Sequence, residues 1–272
     1  NTGAAFTTKG DYAVTISDTS ASAANIKLIN DDSTGAIDMS AVTTITSSST
    51  SDVLEIVNNT GAAFTTANNY AVTLNDTASA ANANTIMNDT AGIVTATVTA
   101  TGAVADLNTA LANATANDAL TLVLNATSAS AADLNTLNGK TSVNINAATI
   151  ETITSSTADD VNTAVTNKTA IGLDGDWDVT LSDTTLSAAE VKTINAATSG
   201  AIDMSDATTI SSSSISDILE IVQDTGATFA TASNYAVTIS DTSASAANIK
   251  LINADSTGAI DMSAVTTITS SS

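Results

Sequence analysis

The chain has 272 residues, a formal net charge of -22 from 28 carboxylates against six lysines, and neither His nor Cys. This balance excludes a nucleic-acid partner, because phosphate binding needs a basic footprint and Lys9, Lys27, Lys140, Lys168, Lys192 and Lys250 stand without basic neighbours. Disulfides, thiol chemistry and imidazole catalysis are also removed, and no apolar run approaches the ~18 residues that signal a membrane span, so no membrane insertion is expected.

From Tyr12 the chain reads YAVTISDTSASAANIKLINDDSTGAIDMSAVTTITSSS, a 38-residue passage at 12–49 that returns at 235–272 with a single change, Asp31 to Ala254. Altered copies open at Tyr70, Leu120 and Trp177, so a repeat of 50 to 58 residues fills the chain. Within it, VTISDTSASAANIKLIN from Val14 can be laid over VTTITSSSTSDVLEIVN from Val42 with the apolar positions in register. Half-repeats therefore start near Val14, Val42, Val72, Thr95, Leu122, Ile150, Val179, Ala207, Val237 and Val265, mostly 28 to 30 residues apart, with one short step after Val72.

Each half-repeat opens on a V-T-x-I type strand, recognised by period-two alternation and β-branched residues, and continues through a Ser/Thr/Asp cluster into a helical pattern. Ser187 with Glu190, Thr157 with Asp160, and Ser214 with Asp217 have the spacing that satisfies the first free helix amides. Apolar pairs then follow: Ile26 and Ile29, Val53 and Ile56, Leu134 and Leu137, Val161 and Val165, Val191 and Ile194, Ile218 and Ile221. Such short stripes need neighbours to be stable. Return segments such as GAIDMS, at Gly35 and Gly200, begin with a turn and hold a second short strand.

A unit of strand, short helix and return segment cannot bury its own apolar face, so stacking is required. The predicted fold is α/β, a repetitive solenoid of parallel strands with short helices. It has about ten coils of 28–30 residues, forms one continuous domain over 1–272, and is right-handed by the parallel crossover rule. The competing fold is an all-β parallel β-helix in which SAANIKLIN and SDVLEIV are strands or loops. Ile16, Ile45, Leu74, Leu124, Ile153, Leu181, Ile210 and Ile239 are predicted to be buried as one column. Tyr12, Tyr70, Leu120, Trp177 and Tyr235 share a second site, and Phe6, Phe64, Ile171 and Phe229 a third. These ladders are assigned to core packing in preference to a carbohydrate-binding stripe.

No enzyme is expected. The acidic residues recur with the repeat instead of converging once, as a catalytic constellation requires. Carboxylates offer one chemical possibility, calcium, through Asp18, Asp76, Asp183 and Asp241 after the first strand, Asp38, Asp203 and Asp261 in IDMS, and Asp174, Asp176 and Asp178 in DGDWD. The candidate metal ligands are therefore Asp174, Asp176, Asp178, Asp18, Asp183 and Asp241. The competing role for the Asp18 series is an Asx turn or a cap on the next helix.

The phrase VTLSDTTLSAAEVKTINAATSGAIDMSDATTISSSS at 179–214 has an echo at 130–165, SAADLNTLNGKTSVNINAATIETITSSTADDVNTAV. Both resemble the tandem repeats of very large bacterial cell-surface proteins, especially those of marine cyanobacteria. The resemblance covers essentially the whole chain and carries no residue-level functional motif. It implies a secreted or surface-anchored structural protein in a coat, filament, adhesive or motility-related layer. Copies of itself are then its partners, joined by divalent cations where calcium binds, and its location is extracellular or at the cell surface. The chain does not start with Met and stops inside a repeat, and is expected to be an excerpt of a longer protein. The alternative is an adhesin stalk that projects a binding domain lying outside this fragment.

Overall fold

The computed structural model describes residues 7–270. Phe6, placed in the third ladder above, lies outside the described residues. Contacts group the chain into two compact units, 1–123 with 137–145, and 124–136 with 146–272. The fold is mixed α/β, with short helices and, among the described residues, only parallel strand pairing. The all-β alternative is thereby set aside, since SAANIKLIN and SDVLEIV lie in helices Ala23–Asp32 and Thr50–Val57.

In the first unit, Val14–Thr15, Ile37–Met39 and Phe64–Thr66 form one sheet, and Ser20–Ala21, Thr44–Ser48, Ala71–Ser79, Val94–Thr99 and Ala119–Leu122 form another. In the second, Ser128–Ser130, Thr152–Ser156, Asp178–Leu181, Ile202–Met204 and Phe229–Thr231 make a five-stranded sheet. Beside it stand a four-stranded sheet (Thr185–Ser187, Thr209–Ser213, Ala236–Ile239, Ile260–Asp261) and the pair Ser243–Ser245 with Thr267–Thr269.

The helices begin where the sequence signals them. Ser187 and Glu190 form a reciprocal capping box, and Thr157 and Ser214 accept the amides of Asp160 and Asp217, both at 3.2 Å. Their apolar stripes are buried: Val53 and Ile56, Val161, Val191 and Ile194, Ile218 and Ile221. Every member of the predicted Ile/Leu column, from Ile16 to Ile239, is also buried.

The register of that column differs from expectation. Ile45 lies opposite Val72, Ile153 opposite Val179 and Ile210 opposite Val237, whereas Leu74, Leu181 and Ile239 lie opposite Ser48, Ser156 and Ser213, beyond an irregularity in each ladder. Strand partners are 20 to 27 residues apart, not 28 to 30. The physical reason is that paired strands are not equivalent positions of successive half-repeats. A Ser-Ala strand pairs with Thr-Ile-Thr, that with Val-Thr, that with Ile-Asp-Met and that with Phe-Ala-Thr, as the order 128–130, 152–156, 178–181, 202–204, 229–231 shows. Each sheet thus runs diagonally across the repeat, and the 28-residue sequence period belongs mainly to the helices.

A hydroxyl ladder locks neighbouring segments together. Ser33, Thr90, Thr141, Thr198 and Ser256 donate to the carbonyls of Tyr12, Tyr70, Leu120, Trp177 and Tyr235 at 2.5, 2.6, 2.9, 2.6 and 2.6 Å. Four of the same oxygens accept the amides of Gly35, Gly92, Gly200 and Gly258, two residues on. At those glycines the segments approach so closely that a β-carbon would sit 2.3, 2.3, 2.3 and 2.1 Å from the facing carbonyl oxygen. The second predicted ladder is therefore a true structural site; Tyr70, Leu120, Trp177 and Tyr235 are buried there, whereas Tyr12 is half-buried, and of the third ladder Ile171 is buried while Phe64 and Phe229 are only half-buried.

Candidate functional site

The recurrent carboxylates lie between helix and strand. Asp76 accepts the first amide and the hydroxyl of Thr50, at 2.9 and 2.6 Å. Asp183 accepts the amide of Ala158 at 2.7 Å, and Asp241 that of Ile215 at 2.6 Å. Ser48, Ser156 and Ser213 do the same for Ala23, Ala131 and Ala188 at 2.7, 2.9 and 2.8 Å. Free helix amides are thus met alternately by a Ser and an Asp that arrive some 25 residues later in the chain. The Asp series caps the preceding helix, not the next one. Asp18, the first of the series, is exposed, and no helix precedes it among the described residues.

This capping has measurable consequences. The Thr50 hydroxyl holds the Asp76 carboxyl below the usual carboxylate range, helped by the Thr50 amide. A carboxylate lowered in the fold stabilises it above its unfolded pKa, and that contribution is lost as pH falls through the folded value. Asp183→Ala, which strands the Ala158 amide, is expected to cost about 1–2 kcal/mol in denaturant melts, while Asp183→Asn, which keeps an acceptor oxygen, costs less.

Asp38, Asp203 and Asp261 close Asx turns onto the amides of Ser40, Ser205 and Ser263 at 3.0, 3.0 and 2.9 Å. Asp174, Asp176 and Asp178 are exposed. Partial burial pushes the Asp174 carboxyl up, and a hydrogen bond and repulsion from Asp176 push it further. Asp178 turns to the amide of Ala201 at 2.7 Å. Among the described residues no group of three or more carboxylates gathers at one metal-sized point.

Two polar networks that recur 165 positions apart were not signalled by any motif. Asn30 donates to Glu55 and the Thr60 carbonyl and accepts the Ala62 amide, and Asn195 makes the same three bonds to Glu220, Thr225 and Ala227, all at 2.6–2.8 Å. Lys27 adds an ion pair to Glu55 at 2.8 Å, and Lys192 one to Asp217 at 2.7 Å. The tyrosines complete the set. Tyr70 donates to Asp89 at 2.6 Å and Tyr235 to Asp255 at 2.5 Å; burial first, then these bonds, push both phenols well up. Groups raised in the fold contribute fully below the unfolded phenol pKa of about 10 and lose that contribution as pH rises beyond it. Melting temperature is therefore expected to hold from neutrality to about pH 10 and fall above it, and Tyr70→Phe combined with Tyr235→Phe to flatten that fall.

A cleft of about 430 Å³ opens in the first unit where the half-repeats are most altered, lined among others by Asn68, Asn88, Asp89, Asn113, Asn117 and Asp118. Asp118 is buried and accepts the amides of Val94 and Thr115 at 2.9 and 2.8 Å, so it fixes the wall. No helix of the described residues is long and apolar enough to cross a membrane. Compared with protein families, with curated proteins and with solved structures, the chain matches none. What its residues define is a fold class: a mixed α/β chain of parallel strands and short helices, tied segment to segment by repeated polar bonds.

Proposed function

We propose that this chain is a segment of an extracellular, cell-surface structural protein, a solenoid of about ten coils whose work is extension and self-association into a filament, fibre or layer. The observation that carries the reading is the use to which the recurrent polar side chains are put. Ser48, Asp76, Ser156, Asp183, Ser213 and Asp241 each serve a helix of a neighbouring segment, so the repeated chemistry holds the protein to itself. The chain is not an enzyme on this reading, and nucleic acid is no partner of a surface with a net charge of -22.

Calcium enters as the stabiliser of that charge, with DGDWD as its first place of contact, because the crowded pair Asp174 and Asp176 gains most from a divalent cation. A cation that binds only the folded chain raises its stability by mass action. The experiment is thermal melting and sedimentation of the purified chain with calcium, with chelator and with matched monovalent salt. Salt-promoted or calcium-promoted association supports the structural role, and a calcium effect beyond that of salt supports the cation clause. A monomer indifferent to all three, or turnover of a polysaccharide or peptide, refutes the reading.

A second reading, an adhesin in which this chain itself contributes a binding site instead of only projecting one, is favoured by the cleft at Asn68 to Asp118, which stands where the repeat is broken. Saturable binding of a neutral oligosaccharide, lost in Asn113→Ala combined with Asn117→Ala, would support it.

A further inference from the structure

The cleft of the first unit arises where two recurrent parts of the fold are replaced. Met87 lies three residues before the ladder hydroxyl of Thr90, as Asn30 lies before Ser33 and Asn195 before Thr198. Those asparagines bind the segment that arrives next, through Thr60 and Ala62 or Thr225 and Ala227, whereas a thioether makes no such bonds and Met87 lines the cleft instead. The arriving segment differs as well. The amides of Ile37 and Ile202, each four residues after its ladder hydroxyl, donate to the carbonyls of Ala63 and Thr228 at 2.9 Å. That of Val94, at the same position, donates to the Asp118 carboxylate at 2.9 Å. A side chain thus stands in for a strand carbonyl, and space opens between Met87 and the segment 111–118.

At about 430 Å³ that space falls in the range of ~300–1,000 Å³ usual for small-molecule sites. Asn68, Asn88, Asn113 and Asn117 line it, and their side-chain amides have no protein partner among the described residues. Asp89 accepts the Tyr70 hydroxyl on one oxygen and leaves the other unclaimed among the described residues. Asp118 is already met by the amides of Val94 and Thr115 and by the Thr115 hydroxyl, at 2.9, 2.8 and 3.0 Å, so the two carboxylates make no cation cage. The lining residues include no Lys to hold an anion and no ring on which a flat ligand could stack. What remains is a set of carboxamides that donate and accept at once, beside an apolar Met and Ala, the complement of an uncharged polyhydroxyl ring. We infer that the cleft holds one neutral hexose unit of a glycan, with the carboxamides of Asn113 and Asn117 pairing with its hydroxyls and the unclaimed oxygen of Asp89 accepting from another. The inference rests on the second reading above, and assigns the sugar unit, its charge and the acid that selects it.

The test is ligand-observed NMR titration of the purified chain with the methyl glycosides of glucose, galactose and mannose, with methyl glucuronide, and with the methyl glycoside of glucosamine. Saturable binding of at least one neutral glycoside is expected, with the glucuronide weaker on the order of tenfold or more, because its carboxylate meets Asp89. Asp89→Asn, which keeps an acceptor for the Tyr70 hydroxyl but gives up the charge, should weaken the neutral glycoside on the order of tenfold. Ala91 is exposed and lines the cleft, so Ala91→Trp should fill it and abolish binding while the melting temperature stays unchanged, which a merely structural residue would not do. Preference for the glucuronide or the amino sugar, or neutral binding that survives both substitutions, overturns this assignment. If longer neutral oligosaccharides bind and no single hexoside does, the assignment falls alone and the second reading stands. If no sugar binds, both fall together, and self-association is judged separately by sedimentation.

Discussion

Gly200→Ala is expected to destabilise the chain by about 3 kcal/mol, at the upper end of overpacking penalties. The added β-carbon would stand 2.3 Å from the Trp177 carbonyl oxygen, 2.5 Å from its carbon and 2.7 Å from the Asp176 oxygen. All three are backbone atoms, so no side-chain rotation relieves the contact. Relief requires the two segments to part, and parting them stretches the Thr198 hydroxyl bond to the same carbonyl, now 2.6 Å. Gly175→Ala is the matched control, since its nearest neighbour would be 4.0 Å away, an ordinary contact. Denaturant melts of the two variants should differ by nearly the whole effect.

Ile153→Ala is expected to cost about 2–5 kcal/mol, through lost burial and the cavity left behind. Ile153 is fully buried between strands Ser128–Ser130 and Asp178–Leu181, facing Ala129 and Val179 in register. In the proposed solenoid the loss is shared only with adjoining segments, so on that reading the melt should broaden and acquire an early step before the remainder unfolds. Ile268→Ala supplies the contrast. That residue occupies the equivalent strand position but is exposed, so its truncation should leave the melt nearly unchanged.

How far the fold can be read from the sequence is decided by which forces are local. Helix starts at Ser187, Thr157 and Ser214 are legible because an N-cap and its target amide lie three residues apart. Burial of the Ile and Leu positions is legible because alternation alone selects the inward face. Register is a different matter. The self-similarity of the sequence superposes Ile45 on Leu74, whereas the fold pairs Ile45 with Val72, because Ser48 must reach the Ala23 amide at 2.7 Å while Leu74 fills the position opposite that serine. A sequence period reports equivalence between segments, and pairing joins segments that are not equivalent.

The carboxylates illustrate the same limit. Asp183 is recognisable as a recurrent acid, but its partner, the Ala158 amide, lies 25 residues earlier and belongs to a helix already ended. The hydroxyl ladder did leave a signal: Ser33 with Gly35, Thr90 with Gly92, Thr198 with Gly200 and Ser256 with Gly258 repeat one S/T-x-G spacing. Read as chemistry, that spacing specifies a hydroxyl turned onto an amide two residues on, beside a backbone too close for a side chain. The Asn30 and Asn195 networks left none, because each asparagine draws its three partners from the segment that follows.

Electron microscopy of the purified chain across a concentration series, in buffer with enough salt to screen its net charge of -22, tests the structural role most directly. The expected result is thin unbranched fibres or sheets of regular width that lengthen with concentration. Uniform single particles at every concentration would contradict it.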